Sequence, residues 1–264
     1  MTKKILTPEQ LKFWDENGFV HLKGHYAESR RAELKSWVEL LEGLPETPGK
    51  WMKYFEKDAA GNRLLCRVED FIPHHAGLAE LIRGKETLDL VGELMGERAL
   101  LFKEKINFKL PGGKGFAPHQ DAPAFTTFNQ KYHITLMISV DPTTIDNGCL
   151  EVVRGRHKEG TMAQEKDGSL SAKVVGELRW EPVTTEPGDV LLFDSYIPHR
   201  SGPNRTQKPR RAFYVTYNRA SEGDRRDDYY KDKRDKFPPD SDRIPGKDYS
   251  AGAALYNLAN PIDK

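Results

Sequence analysis

The chain has 264 residues, enough for one large β-rich domain or two small ones. With 41 basic against 40 acidic side chains it carries no electrostatic footprint for nucleic acid or an anionic membrane, and no apolar run approaches the ~20 residues that span a bilayer. Cys66 and Cys149 lack CxxC spacing and Met1-Thr2-Lys3-Lys4 leads into no apolar signal segment, so the expectation is a cytoplasmic protein with free thiols whose partner is a small molecule.

Thr7-Pro8-Glu9-Gln10 predicts a helix start, with Thr7 at the N-cap, Gln10 reaching back, and Gly18 closing the helix. Phe19–Leu22 reads as a short strand. Leu34, Trp37, Leu40 and Leu41 fall at helical spacing within 28–44. Strands are expected near 51–55 and 64–68, and short helices near 77–83 and 86–95. His74-His75 precedes the first of these and reads as an N-terminal capping or surface pair rather than a metal site. After Gly96 the pattern changes to strands separated by turns, over 100–110, 132–140, 149–153, 174–180, 190–193 and 211–217. Such a run argues for an antiparallel sandwich or jelly roll, with the early helices against one outer face. The charged stretch 222–248 reads as a solvated surface segment rather than a cover over a pocket. Without repeats or linkers, residues 1–264 are expected to form one domain. Its parts are a helix-rich 1–96, a β core over 97–220 and a charged 221–264.

Pro118-His119-Gln120-Asp121 ends a loop that begins at Pro111-Gly112-Gly113. In extended chain, residues two apart share a face, so His119 and Asp121 are expected to grip one ion together. A second imidazole, His199, follows the apolar strand Val190-Leu191-Leu192-Phe193, 80 residues beyond His119. Two histidines and one carboxylate on one face of an octahedron leave three positions open, the arrangement of non-haem Fe(II) oxygenases. A 2-oxo acid chelating such an iron needs a cation for its distal carboxylate, and Arg210 and Arg211 compete for that place by strand parity. Within 102–109, Lys103, Lys105, Asn107 and Lys109 alternate with Phe102, Ile106 and Phe108, so a cationic face is available to a pocket. Thr135 has the parity to face inward as a co-substrate contact. His157 and Lys158 read as stabilising a turn.

Four motifs in order carry a family resemblance. They are Pro118-His119-Gln120-Asp121, Asn147-Gly148-Cys149-Leu150-Glu151 with Gly155 and His157, Pro187-Gly188-Asp189, and His199 through Ser201-Gly202, Asn204 and Thr206 to Arg210. From about Leu6 to Asn218 the chain resembles the phytanoyl-CoA dioxygenase family of Fe(II)- and 2-oxoglutarate-dependent oxygenases. The resemblance implies a mainly β fold, a double-stranded β-helix (jelly roll) core buttressed by N-terminal helices. It implies His119, Asp121 and His199 as iron ligands, Arg210 and Ser201 on the distal carboxylate of 2-oxoglutarate, and Gln120 beside the co-substrate. Lys105 is assigned with them to the co-substrate, and Lys103 and Asn107 to the substrate. The stretch 105–113 with His119–Phe125 and 132–135 is most similar to bacterial 2-aminoethylphosphonate dioxygenases, which implies hydroxylation of the carbon next to phosphorus with O2 as oxidant. The alternatives are the same chemistry on an acyl-CoA or a secondary metabolite, a non-catalytic metal-binding jelly roll, or a mono-zinc hydrolase.

Overall fold

The computed structural model describes residues 4–262. Seven helices are α1 (Pro8–Asn17), α2 (Glu28–Gly43), α3 (Ala76–Arg83), α4 (Lys85–Met95), α5 (Ala172–Glu177), α6 (Arg226–Lys236) and α7 (Ser250–Tyr256). The strands are β1 (Phe19–Leu22), β2 (Met52–Lys57), β3 (Arg63–Glu69), β4 (Ala99–Lys109), β5 (Phe116–His119), β6 (His133–Ser139), β7 (Leu150–Val152), β8 (Glu181–Val183), β9 (Val190–Asp194), β10 (His199–Ser201) and β11 (Arg210–Arg219). They form a seven-stranded sheet in the order β1-β9-β6-β11-β4-β3-β2 and a four-stranded sheet in the order β5-β10-β7-β8, and every strand pair is antiparallel.

Two apolar layers follow from the period-two pattern of the strands. On the outer face of the large sheet, Ile106, Phe108, Ile138 and Phe213 share one buried cluster with Leu34 and Val38 of α2, Ile82 of α3 and Val91 of α4. Each such side chain contributes roughly 1.5–3 kcal/mol by leaving water. On the inner face, Met137, Leu191, Phe193 and Tyr214 meet Leu150, Val152 and Val183 of the small sheet. The helices therefore buttress one side and leave the space between the sheets for a site.

The N-terminal helix begins as its sequence predicts: Thr7 accepts from the Gln10 amide, and the Gln10 side chain accepts from Thr7 N. It ends at Gly18 with φ of 79°. A Cβ there would stand 2.6 Å from the His157 ring, so the turn role of His157 is to pack beneath this cap, while Lys158 pairs with Asp15. Gly18→Ala is expected to destabilise the fold by at least ~1–2 kcal/mol, the cost of a left-handed non-glycine residue plus the displaced ring, measurable by urea unfolding. His75 caps α3 by accepting from the Leu78 amide.

Three expectations are overturned. Residues 174–180 are not a strand: Ser171 caps α5, and Leu178 and the partly buried Val174 pack on a local cluster at i,i+4 spacing. Phe102 leaves the apolar face of Ile106 and Phe108, because a bulge opposite Thr216/Tyr217 turns it toward Phe125 and Tyr229.

The charged C-terminal stretch is not simply a solvated face either. Helix α6 buries Arg226, Tyr229, Tyr230 and Lys233, because the heads of Arg226, Tyr230 and Lys233 find partners inside and the Tyr229 ring packs on Phe102 and Phe128. Arg226 clamps the fully buried Glu104 of β4 and also reaches Asp70, while the Tyr230 hydroxyl donates to the Glu104 carbonyl. Arg226→Ala would strand the Glu104 carboxylate in the interior, with an expected loss of about 3–5 kcal/mol in chemical denaturation.

Candidate active site

In the four-stranded sheet, His199 of β10 is the direct cross-strand partner of His119 of β5, which is how residues 80 apart in sequence meet. Their rings lie 4.2 Å apart between centroids. The route of Asp121 differs from the expected strand alternation. β5 ends at His119, and Asp121 has helical dihedrals (φ −75°, ψ −33°) at the head of the short turn Ala122–Ala124, where Ala122 N donates to Ser195 O. A turn, rather than a pleat, swings the carboxylate back. Asp121 Oδ1 stands 3.6 Å from His119 Nε2 and 3.9 Å from His199 Nε2.

One atom from each of these three residues lies within 4.8 Å of the other two, a donor set able to hold one metal ion. Both imidazoles are oriented from behind. His119 Nδ1 donates to Ala117 O at 2.7 Å and His199 Nδ1 to Ile197 O at 3.0 Å, which leaves each Nε2 lone pair facing the common point. Burial, and then the neighbouring His119, push the His199 imidazole down to about 4, so it is neutral at pH 7. Burial works to raise the Asp121 carboxyl, but the two imidazoles and Lys105 outweigh it and hold it well below the usual range. A neutral imidazole and an ionised carboxylate are the protonation states a metal requires.

At the far end of the inner face, Arg210 is 1% exposed. Its Nη2 donates to the Tyr214 hydroxyl at 3.3 Å, and its buried Nε has no hydrogen-bond partner among the described residues. A buried guanidinium with an open donor is the signature of a site that receives an acceptor. Strand parity puts Arg211 on the opposite face, where it grips Asp141 with two nitrogens and reaches Glu42 of α2. Lys109, the cross-strand partner of Arg210, spends its ammonium on Ser201 Oγ, Gly148 O and Gly202 O, which fixes Ser201 beside it.

Against His119 and Asp121 lies a cavity lined by these two, Gln120, Lys103 and Lys105 together with Arg67, Tyr229, Lys233, Tyr256 and Asn260. Lys103 lies over the rings of Phe125 and Tyr229, and Lys105 near that of Tyr214. Neither ammonium has a carboxylate within ion-pair distance among the described residues. Burial pushes both below the usual lysine range. Asn107 faces the same way and accepts from Arg67 Nε at 3.0 Å. Thr135 Oγ1 sits 3.1 Å from Thr216 Oγ1 and 3.5 Å from Asp121 Oδ2. The Gln120 amide is committed elsewhere: it donates to Gly160 O and Tyr196 O and accepts from Met162 N, so the side chain ties down a neighbouring loop.

Arg67, Tyr229, Lys233, Tyr256 and Asn260 escape the sequence reading. The only local signals are the Arg67/Glu69 alternation at the end of the mostly apolar β3 and a Tyr-Tyr pair inside a charged run. No described helix is long and apolar enough to cross a membrane.

Residues 14–212 match the family model described as phytanoyl-CoA dioxygenase (PhyH). The chain is 55% identical to a 2-aminoethylphosphonate dioxygenase from uncultured bacterium HF130_AEPn_1 over 97% of this chain and 98% of that protein. It is 44% identical to a methylphosphonate hydroxylase from Gimesia maris over 88% of each. Among solved structures, EctD from S. alaskensis with 2-oxoglutarate and 5-hydroxyectoine shares the fold, with a TM-score of 0.72 at 19% identity over 84% of this chain and 79% of that one. The same protein has been crystallised with bound Fe. The jelly-roll core, the converging His-Asp-His set and these likenesses agree: the chain belongs to the phytanoyl-CoA dioxygenase family.

Proposed function

We propose that this enzyme is an Fe(II)- and 2-oxoglutarate-dependent dioxygenase that hydroxylates the carbon next to phosphorus in 2-aminoethylphosphonate or a related small phosphonate. The observation that carries the reading is the convergence of His119 Nε2, His199 Nε2 and Asp121 Oδ1 beside a cavity, lined by His119 and Asp121, whose other charged walls are cationic. His119, Asp121 and His199 hold the iron. When bound, iron, 2-oxoglutarate and O2 together supply the oxidising power, with succinate and CO2 as co-products.

The chain's own residues bind, orient and exclude water. Arg210 takes the distal carboxylate of 2-oxoglutarate through its open donor, with Ser201, held by Lys109, at its side. Lys105 and Thr135 flank the Asp121 carboxylate on the co-substrate side. Gln120 is a positioning residue, since its three bonds to backbone fix the segment between the two metal-holding side chains. Lys103 and Asn107 face the substrate. Asp121 also fills the position that halogenases of similar architecture leave for chloride, which favours hydroxylation.

Residues 1–264 act as one oxygenase domain, because the C-terminal segment supplies walls of the cavity. That roof, formed by Tyr229, Lys233 and Tyr256, leaves a narrow space and weighs against an acyl-CoA substrate. The test is succinate release by the Fe(II)-loaded enzyme across a panel of 2-aminoethylphosphonate, methylphosphonate, an acyl-CoA and an uncharged amino alcohol. Stimulation by the phosphonates alone is expected. Stimulation only by the acyl-CoA or the neutral compound would overturn the assignment. Anaerobic addition of Fe(II) and 2-oxoglutarate is expected to give a weak visible charge-transfer band that a metal-binding module without co-substrate chelation would lack.

A further inference from the structure

We propose, resting on the oxygenase reading above, that Arg67 of β3 and Lys233 of α6 form with Lys103 a seat for a doubly charged anionic head on the substrate. On this proposal α6 and the chain that follows it set substrate specificity.

The seat is built from buried groups. Lys233 is 1% exposed, Arg67 3% and Lys103 8%, and all three line the cavity that holds His119 and Asp121. Glu69 ties the first two together, accepting from Lys233 Nζ at 2.6 Å and from Arg67 Nη1 at 3.3 Å. Asn260, from the chain after α7, accepts from Arg67 Nη2 at 2.5 Å. Those contacts leave donors over: an ammonium has three N–H groups and Lys233 makes one hydrogen bond, while a guanidinium has five and Arg67 makes three.

Charge balance points the same way. With Fe(II) and 2-oxoglutarate in place, Asp121 and the metal-bound carboxylate offset the ion, and Arg210 offsets the distal carboxylate. With Lys105 on the co-substrate side, that leaves Arg67, Lys103 and Lys233 in the cavity against Glu69. Uncompensated buried cations are costly, so the site is completed by a ligand of more than one negative charge. A phosphonate dianion meets that need better than a carboxylate or a neutral group. Lys233 and Asn260 also lie beyond residue 212, where the family model ends, so they belong to the part of this chain that the shared core does not prescribe.

The full-length enzyme tests this with two variants. Lys233→Met alone would leave the buried Glu69 with Arg67 as its remaining cation, so the double variant Lys233→Met/Glu69→Gln is used. Asn260→Asp adds a competing carboxylate on Arg67 at a half-buried position. Each is expected to raise the KM for 2-aminoethylphosphonate and methylphosphonate by about tenfold or more, while the 2-oxoglutarate requirement stays within about twofold. Thermal protection of the metal-free protein by methylphosphonate or inorganic phosphate is expected to disappear in both, and Lys233→Arg is expected to retain it. Phosphonate KM values within twofold of wild type in both folded variants, or an equal rise in the 2-oxoglutarate requirement, would overturn the seat. A wild-type protein that releases succinate with no phosphonate, yet is protected by phosphate through Lys233 and Asn260, would keep the seat and remove the phosphonate assignment.

Discussion

His199→Ala is expected to abolish substrate-dependent succinate release. Groups that merely orient a metal ligand are worth about 10–100-fold, so loss of a ligand should exceed ~100-fold in activity at fixed iron. The physical reason is positional. His199 and His119 are cross-strand partners whose Nδ1 atoms are both tied to backbone carbonyls, and among the described residues they are the histidines grouped with a carboxylate at metal-binding distance. His133, for example, is held by Gln130 and enclosed by Phe102 and Phe125. The measurement is succinate formed per bound iron, alongside the iron content after gel filtration. Asp121→Ala should behave alike, and full activity in either variant would remove the assignment of these residues.

Arg210→Met is expected to separate stability from function. The guanidinium is buried, its Nε is unpartnered, and its one hydrogen bond goes to a phenol rather than a carboxylate. Without co-substrate it is an isolated buried charge, so replacing it with an apolar side chain of similar length should leave the melting temperature unchanged or raised. With co-substrate the same change removes a buried charge-assisted pair worth about 2–5 kcal/mol, a rise of roughly 30- to several thousand-fold in the 2-oxoglutarate concentration needed for half-maximal turnover. The two outcomes are read on one preparation, by thermal unfolding and by 2-oxoglutarate titration. A fall in melting temperature with an unchanged co-substrate requirement would make Arg210 a structural residue.

The two variants differ in what they reveal about the fold. His199 belongs to a pair created by the small sheet alone, whereas Arg210 sits at the far end of the large sheet, beside a lysine that fixes Ser201 of the small one. The site therefore depends on both sheets keeping their register, and Gly148 shows how little slack there is. A Cβ on it would come 2.1 Å from Gly202 O and 2.9 Å from Lys109 Nζ.

By itself the sequence determined whatever depends on neighbours along the chain. The Thr7 cap, the Gly18 stop, the strands β4, β6, β7, β9 and β11, and the local motifs that hold His119, Asp121, His199 and Arg210 were legible, whereas the short strands β5, β8 and β10 were not. Tertiary structure decided the rest. Asp121 reaches the histidines through a turn anchored on Ser195, a bulge moves Phe102 across the sheet, and Ala172–Glu177 coils into a helix, which lets Val174 and Leu178 cover a small cluster. Above all, a helix as charged as α6 gives no sign of burial in its own sequence beyond the Tyr229-Tyr230 pair. Its Arg226, Tyr230 and Lys233 go inside because they complete the partners of the buried Glu104 and Glu69, more than a hundred residues away, and a buried charge is tolerated only where its counterpart is supplied.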